Sequence, residues 1–366
     1  MKERGAVARL LQYHPSVAGR DAVGNEIVAL HRAAQGAGID ARIYAHDPGP
    51  AGGVRIEAAK SLDPAPGDTM LLHFSLGCAS FDRLASAPCR RLMLYHDVTP
   101  PDLLIGSPPA VVEAARQGLR QAGPLAASMH AVAAHSHSSA ASLSAAGGPG
   151  CDLLPYLMRQ DLLGRQPDQV VLAEAKLHGR TLLAAGRVLP HKRIEDILLV
   201  FDHLRRISPN PWRLVVAGSL DGAPGYVDRL RELCGRLGLP RVAFTGSIAQ
   251  DRLNAWYRAS SAFISMSAHE GFCVPLAEAM HHGLPVFALA SAAVPETMRG
   301  AGVLFDEPDW PVIAEAIDQV DRDRSLRARI AGQQDDAVRA YHPQAAARQW
   351  LDWLRRAGVA RVVNPG

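Results

Sequence analysis

A chain of 366 residues, 48% hydrophobic and only 20% charged, carries enough apolar material for about two domains with cores of their own. Its net charge of +3, with no Lys/Arg run longer than a pair, gives no basis for a nucleic-acid partner. Five scattered cysteines with no CxxC pair argue against a disulfide framework or a cysteine-based zinc site.

No apolar run approaches the ~20 residues of a membrane span, and Met1-Lys2-Glu3-Arg4 does not lead into a signal-peptide core. The expectation is a reduced, cytoplasmic protein.

From the N-terminus onward, short apolar runs alternate with amphipathic stretches, the pattern of parallel sheets covered by helices. The segments 6–13, 69–75, 91–96 and 131–136 read as buried strands, with helical spacing in 24–38 and 110–123. The second half repeats the pattern: strands at 180–186, 212–218, 241–246, 262–267, 284–289 and 301–305, with helices between them. Residues 156–171 are polar, weakly periodic and contain Pro167, so the linker is placed there. The expected domains are 1–160 and 172–342, each a doubly wound α/β unit, facing one another across a cleft with ligand at the strand ends. A last helix from Pro343 carries Trp350, Leu351, Trp353 and Leu354 near one face and is expected to pack on the first domain. The alternative is that its Arg355 and Arg356, with Arg361, touch a membrane surface.

The chain lacks a GxGxxG after its first strand, a P-loop, an HExxH pair and a GxSxG elbow. The remaining signals lie in the second half. In "AAGRVLPHKR" a strand ends at Gly186, and Arg187 and Lys192 follow in a loop that turns into a helix. Two cations beside a helix N-terminus suit a diphosphate; taken alone they are equally two surface charges. In "SAHEGFCVPLAEAMHHGLPV" Glu270 falls in a loop and Glu278 in a helix begun by Pro275. Free N–H groups near Val274 attract phosphate, whereas carboxylates on either side suit hydroxyls. That order matches a nucleotide sugar. The plainer alternative is a capping Glu270 and a surface Glu278.

These segments, "GRVLPHK", "VVAGS", "VAFTGSIAQDRLNAWYRAS" and the E-x7-E element, resemble the donor domain of the GT-B glycosyltransferases, in particular the retaining family 4. "LLQYHPSVAGRDAVGNEI", "LYHDVTPPDLL" and "AVAAHSHSSAASLSAAG" are similar, more loosely, to that family's first-domain loops. The resemblance implies that Arg187 and Lys192 hold the donor diphosphate, Glu278 the ribose and Glu270 the donor sugar. It further implies that Gly271, Phe272, Cys273 and Val274 line sugar and phosphates through their backbone, and that the loop at Gly246, Ser247 and Ile248 meets the base. Gly24-Asn25 stands where the family has a Gly-Gly, and His96 matches a histidine that reaches the sugar. Cys273 replaces the commoner glycine and is read as packing rather than nucleophile.

The implied reaction is retaining hexosyl transfer from a nucleotide-diphosphate sugar, GDP-mannose as first choice, to a glycan or lipid-linked saccharide. No DxD element stands out, so transfer without metal is expected, and no cofactor beyond the donor substrate. A silent sugar-nucleotide-binding partner and a GT-B epimerase are the alternatives. Of the remaining histidines, His130, His135 and His137 are read as flanking a serine-capped helix rather than as metal ligands. His281 and His282 are read as cations at a helix end. Asp97 either acts on the acceptor or orients its loop.

Overall fold

The computed structural model describes residues 8–18 and 21–359. The opening residues of the first expected strand, and Arg361, lie outside this range. The described chain divides into two compact units: 8–98, 114–159 and 340–359 form the first, and 99–113 with 160–339 the second.

The first unit is built on an eight-stranded sheet: β1 (Arg9–Tyr13), β2 (Asp40–Ala45), β3 (Gly49–Ala51), β4 (Val54–Ala58), β5 (Thr69–Phe74), β6 (Arg90–Tyr95), β7 (Ala131–Ala134) and β8 (Asp152–Leu153). Their order is β3-β4-β2-β1-β5-β6-β7-β8, parallel except for β3 against β4. β5 is buried throughout and β6 from Leu92 to Tyr95, as strands covered on both faces must be. Its helices are α1 (Ala22–Gly36), α2 (Ala79–Leu84), α3 (Pro109–Ala127, of which 114–127 belong here) and α4 (His137–Ala145). Asp21 caps α1 by accepting from the Gly24 N–H at 2.8 Å, which starts the helix earlier than its apolar spacing indicates. The helix Pro343–Arg356 buries Trp350, Leu351, Trp353 and Leu354 in this unit's core beside Leu10, Leu30 and Leu92. Both indoles find acceptors there: Trp350 Nε1 donates to the Pro155 carbonyl at 3.0 Å and Trp353 Nε1 to Asp152 Oδ2 at 2.8 Å. The strands β3 and β8, of three and two residues, are too brief to show any periodicity.

In the second unit the strands are β9 (Arg180–Ala185), β10 (Trp212–Ala217), β11 (Val242–Gly246), β12 (Ala262–Ser265), β13 (Val286–Leu289) and β14 (Val303–Phe305), all parallel in the order β11-β10-β9-β12-β13-β14. The chain winds one way from β9 and then returns to place β12 on its other side, so the switch point lies between β9 and β12. Around the sheet run α5 (Gln160–Leu163), α6 (Gln169–Leu177), α7 (Ile194–Ile207), α8 (Pro224–Leu237), α9 (Gln250–Ala259), α10 (Val274–His281), α11 (Val294–Met298), α12 (Trp310–Arg322) and α13 (Arg324–Val338). Its core gathers Leu182, Leu198, Phe201, Leu214, Ile264 and Ile317.

Residues 99–113 were expected in the first domain but group with the second, where the turn Pro101–Leu104 packs on the turn Pro190–Lys192. The expected linker is equally not one loop. Tyr156 and Leu157 are buried in the first unit, while α5 and α6 belong to the second. Among the described residues no helix is long and apolar enough to cross a membrane.

Candidate functional site

Of three neighbouring strands of the second unit, β9 and β10 are followed directly by Gly186 and Gly218 and β11 ends at Gly246, all three glycines at positive φ. The requirement is steric at Gly218, where a Cβ would stand 1.8 Å from the Gly186 carbonyl oxygen. This brings the loops after these strands together along one sheet edge. Gly186 N–H donates to Ala217 and Gly218 N–H to Gly246. Arg187 is exposed there.

Beyond the switch point, β12 runs into Met266 and the loop 267–273, and α10 begins at Val274 with Pro275 in its first turn. The residue before the helix, Cys273, is left-handed at φ +67° and gives no side-chain cap. The loop is held from several sides. His191 carbonyl accepts from Ala268 N–H at 2.7 Å, Ser291 Oγ donates to the Ser267 carbonyl, and Thr297 Oγ1 donates to the Phe272 carbonyl. The Ala293 N–H reaches the Glu270 carbonyl at 3.2 Å. Backbone held this firmly is backbone that can present fixed dipoles.

Within this frame Lys192 Nζ donates to Glu270 Oε1 at 2.5 Å, with side chains 17% and 10% exposed. Burial alone would raise the Glu270 carboxyl, but Lys192 outweighs it and holds it below its ordinary value. Likewise burial would lower the Lys192 ammonium, yet Glu270 raises it. Both are therefore charged at neutral pH. Glu278, one turn into α10, pairs with no cation among the described residues; its Oε2 accepts from Tyr257 OH at 2.9 Å. Burial lifts it to about 7, with the tyrosine's hydrogen bond pulling the other way. The two carboxylates thus differ in charge state although they share one helix end. A cavity of about 20 Å³ opens at the ends of β9 and β12, against Gly186, Arg187, Lys192 and Ser267.

Of the residues singled out in sequence, Arg187, Lys192, Glu270, Gly271, Phe272, Cys273, Val274 and Glu278 lie in this frame, and Ser247 and Ile248 form the loop between β11 and α9. The Cys273 thiol is buried, and burial first, then Glu270, pushes it well above its ordinary value, so it stays protonated. His282 differs from expectation. His282 stacks on Tyr257, with ring centres 5.4 Å apart, and burial drives its imidazole down to about 4. It is neutral, so it supplies no cation to the helix end. Sequence reasoning missed Tyr257, His191, Ser291 and Thr297; they act through the loop and helix rather than through any motif.

The first unit holds Gly24 and His96. Gly24 lies inside the first turn of α1, not in a loop. His96 follows β6, its side chain 5% exposed, with Nε2 at 3.1 Å from His73 Nδ1 and Nδ1 at 3.7 Å from Glu26 Oε2. His135 Nε2 is 2.9 Å from the same oxygen. Burial would lower the His135 imidazole, but Glu26 raises it above its ordinary value. Asp97 orients its loop: its carboxylate accepts from Val98 N–H and from the hydroxyls of Tyr95, Ser142 and Ser139. Ser136 caps α4 by accepting from Ser139 N–H.

The family model "Glycosyl transferases group 1" matches residues 173–334. Among curated relatives, a D-inositol 3-phosphate glycosyltransferase of Nocardioides is 30% identical over 189 residues, covering 48% of this chain and 41% of the relative. A GDP-mannose-dependent alpha-(1-6)-phosphatidylinositol monomannoside mannosyltransferase of Mycobacterium tuberculosis is 28% identical over 213 residues, 54% of each chain. The chain thus spans about half the length of the curated relatives it matches. Among solved structures, Anabaena HepE in complex with UDP-glucose superposes with a TM-score of 0.76 at 19% identity, over 95% of this chain and 99% of that one. Sucrose-phosphate synthase from Thermosynechococcus elongatus gives 0.76 at 18% identity, over 95% and 98%. These likenesses show the fold. Residues 173–334 thus match the group 1 glycosyltransferase family, in a chain whose fold is the two-domain GT-B fold.

Proposed function

We propose that the chain is a retaining glycosyltransferase that moves a hexose from a nucleotide-diphosphate sugar to a glycan or lipid-linked saccharide, without a metal at the phosphates. The carrying observation is the arrangement at the switch point, where the Lys192–Glu270 pair and Glu278 flank the N-terminus of α10. Lys192, Arg187 and the N–H groups at Val274 bind the diphosphate and take up charge as the sugar leaves. Glu278 accepts from the ribose hydroxyls and Glu270 from those of the hexose. The backbone of Gly271, Phe272 and Cys273 lines the sugar, and Ser247 and Ile248 meet the base. The acceptor hydroxyl gives its proton to the departing phosphate oxygen on the same face. His96 and Gly24 are assigned to the acceptor-side unit.

GDP-mannose is the donor proposed first, because a relative 28% identical over 213 residues is named as GDP-mannose-dependent. The structural neighbour bound to UDP-glucose supports the second choice, a uridine donor. Release of nucleoside diphosphate at steady state, measured in chelator with GDP-mannose and UDP-glucose plus mixed saccharide acceptors, tests this reading. Turnover with one donor and not the other supports it. Binding with no release for either would favour a silent sugar-nucleotide partner.

A further inference from the structure

The two oxygens of Glu278 have different surroundings. Oε2 accepts from the Tyr257 hydroxyl at 2.9 Å, and that phenol comes from α9, outside the E-x7-E segment. Oε1 has no hydrogen-bond partner among the described residues and is not one of their buried, unpartnered atoms. It is therefore the accessible oxygen of a half-buried side chain.

The phenol that holds Oε2 has little freedom. Tyr257 is 1% exposed; its ring stacks on His282, with centres 5.4 Å apart and planes 18° apart, and lies against Phe263 of β12 at 5.9 Å. Burial first, then Glu278, holds the hydroxyl well above its ordinary value, so it keeps its proton. A phenol has one O–H to give, and here it is given to Oε2. His282 is neutral and brings no charge to compete for the carboxylate. Glu278 is thus pinned at one oxygen and offers the other. A mobile carboxylate would turn to whatever hydroxyl remained. A pinned one leaves an acceptor unpaired when a hydroxyl is missing, which is how a hydrogen-bonding site discriminates.

We infer that Tyr257 is a positioning residue for Glu278, and that the pair restricts the donor to ribonucleoside diphosphate sugars, excluding those built on a 2′-deoxyribonucleoside. The inference rests on the ribose reading of Glu278 proposed above and extends it to a substrate class. A ribose brings two adjacent O–H groups to the carboxylate, a 2′-deoxyribose only one.

The test is calorimetric titration of the full chain at pH 8.5 with GDP, UDP and the 2′-deoxy form of each. The wild type should bind the deoxy form about 10–100-fold more weakly than its ribose parent. In Glu278→Ala the two forms should bind alike, and in Tyr257→Phe the ratio should narrow. A purely structural Tyr257 would weaken both forms equally and keep the ratio, which overturns its assignment. Equal binding of both forms by the wild type overturns the inference; the donor site itself still stands if Lys192→Ala weakens both. No binding of any of the four nucleotides overturns the inference together with the reading beneath it. A ratio that persists in Glu278→Ala places the discrimination on another residue and overturns it too. Should a variant fail to fold, the wild-type ratio is followed down to pH 5.5. It should shrink as Glu278 takes up its proton near pH 7, and a constant ratio overturns the assignment.

Discussion

Lys192 and Glu270 neutralise one another at 2.5 Å across the sheet switch point of the second unit. Removing one partner of so enclosed a pair strands the other charge, at a cost of about 3 kcal/mol. Glu270→Gln should therefore lower the thermal midpoint, and the double variant Lys192→Met/Glu270→Gln should recover most of it. The Glu270 carboxyl is held below its ordinary value, so the pair's contribution is present above the unfolded pKa of about 4.3 and is lost as pH falls through the lower folded value. The gap between wild type and Glu270→Gln should close on acidification. A constant gap would mean the pair is not the source.

The two carboxylates should also separate kinetically. Glu278→Ala is expected to raise KM for the donor about tenfold or more with little change in kcat. Glu270→Ala should lower kcat, because hydroxyls of the reacting sugar are gripped most firmly in the transition state. Equal losses in both parameters for both variants would contradict this division.

Because burial lifts Glu278 to about 7, donor affinity should depend on pH near neutrality. The ionised form is the better acceptor for ribose hydroxyls, so affinity rises through this range and levels off above it. The Tyr257 hydrogen bond lowers the Glu278 pKa, so Tyr257→Phe should move the midpoint of the profile to higher pH. Affinity measured from pH 5.5 to 8.5 checks both the slope and the direction of the shift.

At Gly218 an added methyl group meets the Gly186 carbonyl oxygen at 1.8 Å, and neither is a flexible side chain. Gly218→Ala should cost about 2–4 kcal/mol in stability and weaken donor binding by displacing the Gly186–Arg187 backbone. Denaturant unfolding measures the first and calorimetry the second.

Trp350 is fully buried, with its indole N–H on the Pro155 carbonyl. Trp350→Ala should destabilise the first unit by about 3–5 kcal/mol. Trp350→Phe should cost about 1–2 kcal/mol, mainly by leaving the Pro155 carbonyl unpaired.

The strand–loop–helix rhythm was legible because each parallel strand is an apolar run bounded by glycine and polar loops, as in "RTLLAAG" and "WRLVVAG". Lys192, Glu270 and Glu278 were legible for a related reason: short segments at strand ends carry them, and helix chemistry constrains what surrounds them. Tyr257 was hidden because it meets Glu278 only through tertiary packing, from the far end of another helix. Likewise His135 and Glu26 are 109 residues apart, and nothing in "GNEIVAL" or "AVAAHS" signals that they share a hydrogen bond. The neutral state of His282 also depends on burial against Tyr257, which spacing at a helix end does not reveal.

The central claim, a donor diphosphate bound between Lys192, Arg187 and the start of α10, is tested most directly by calorimetric titration with GDP and UDP in the presence of chelator. Stoichiometric binding of one nucleotide, lost at least about tenfold in Lys192→Ala, is the predicted result. Binding of neither nucleotide, or binding that Lys192→Ala leaves unchanged, would contradict the account.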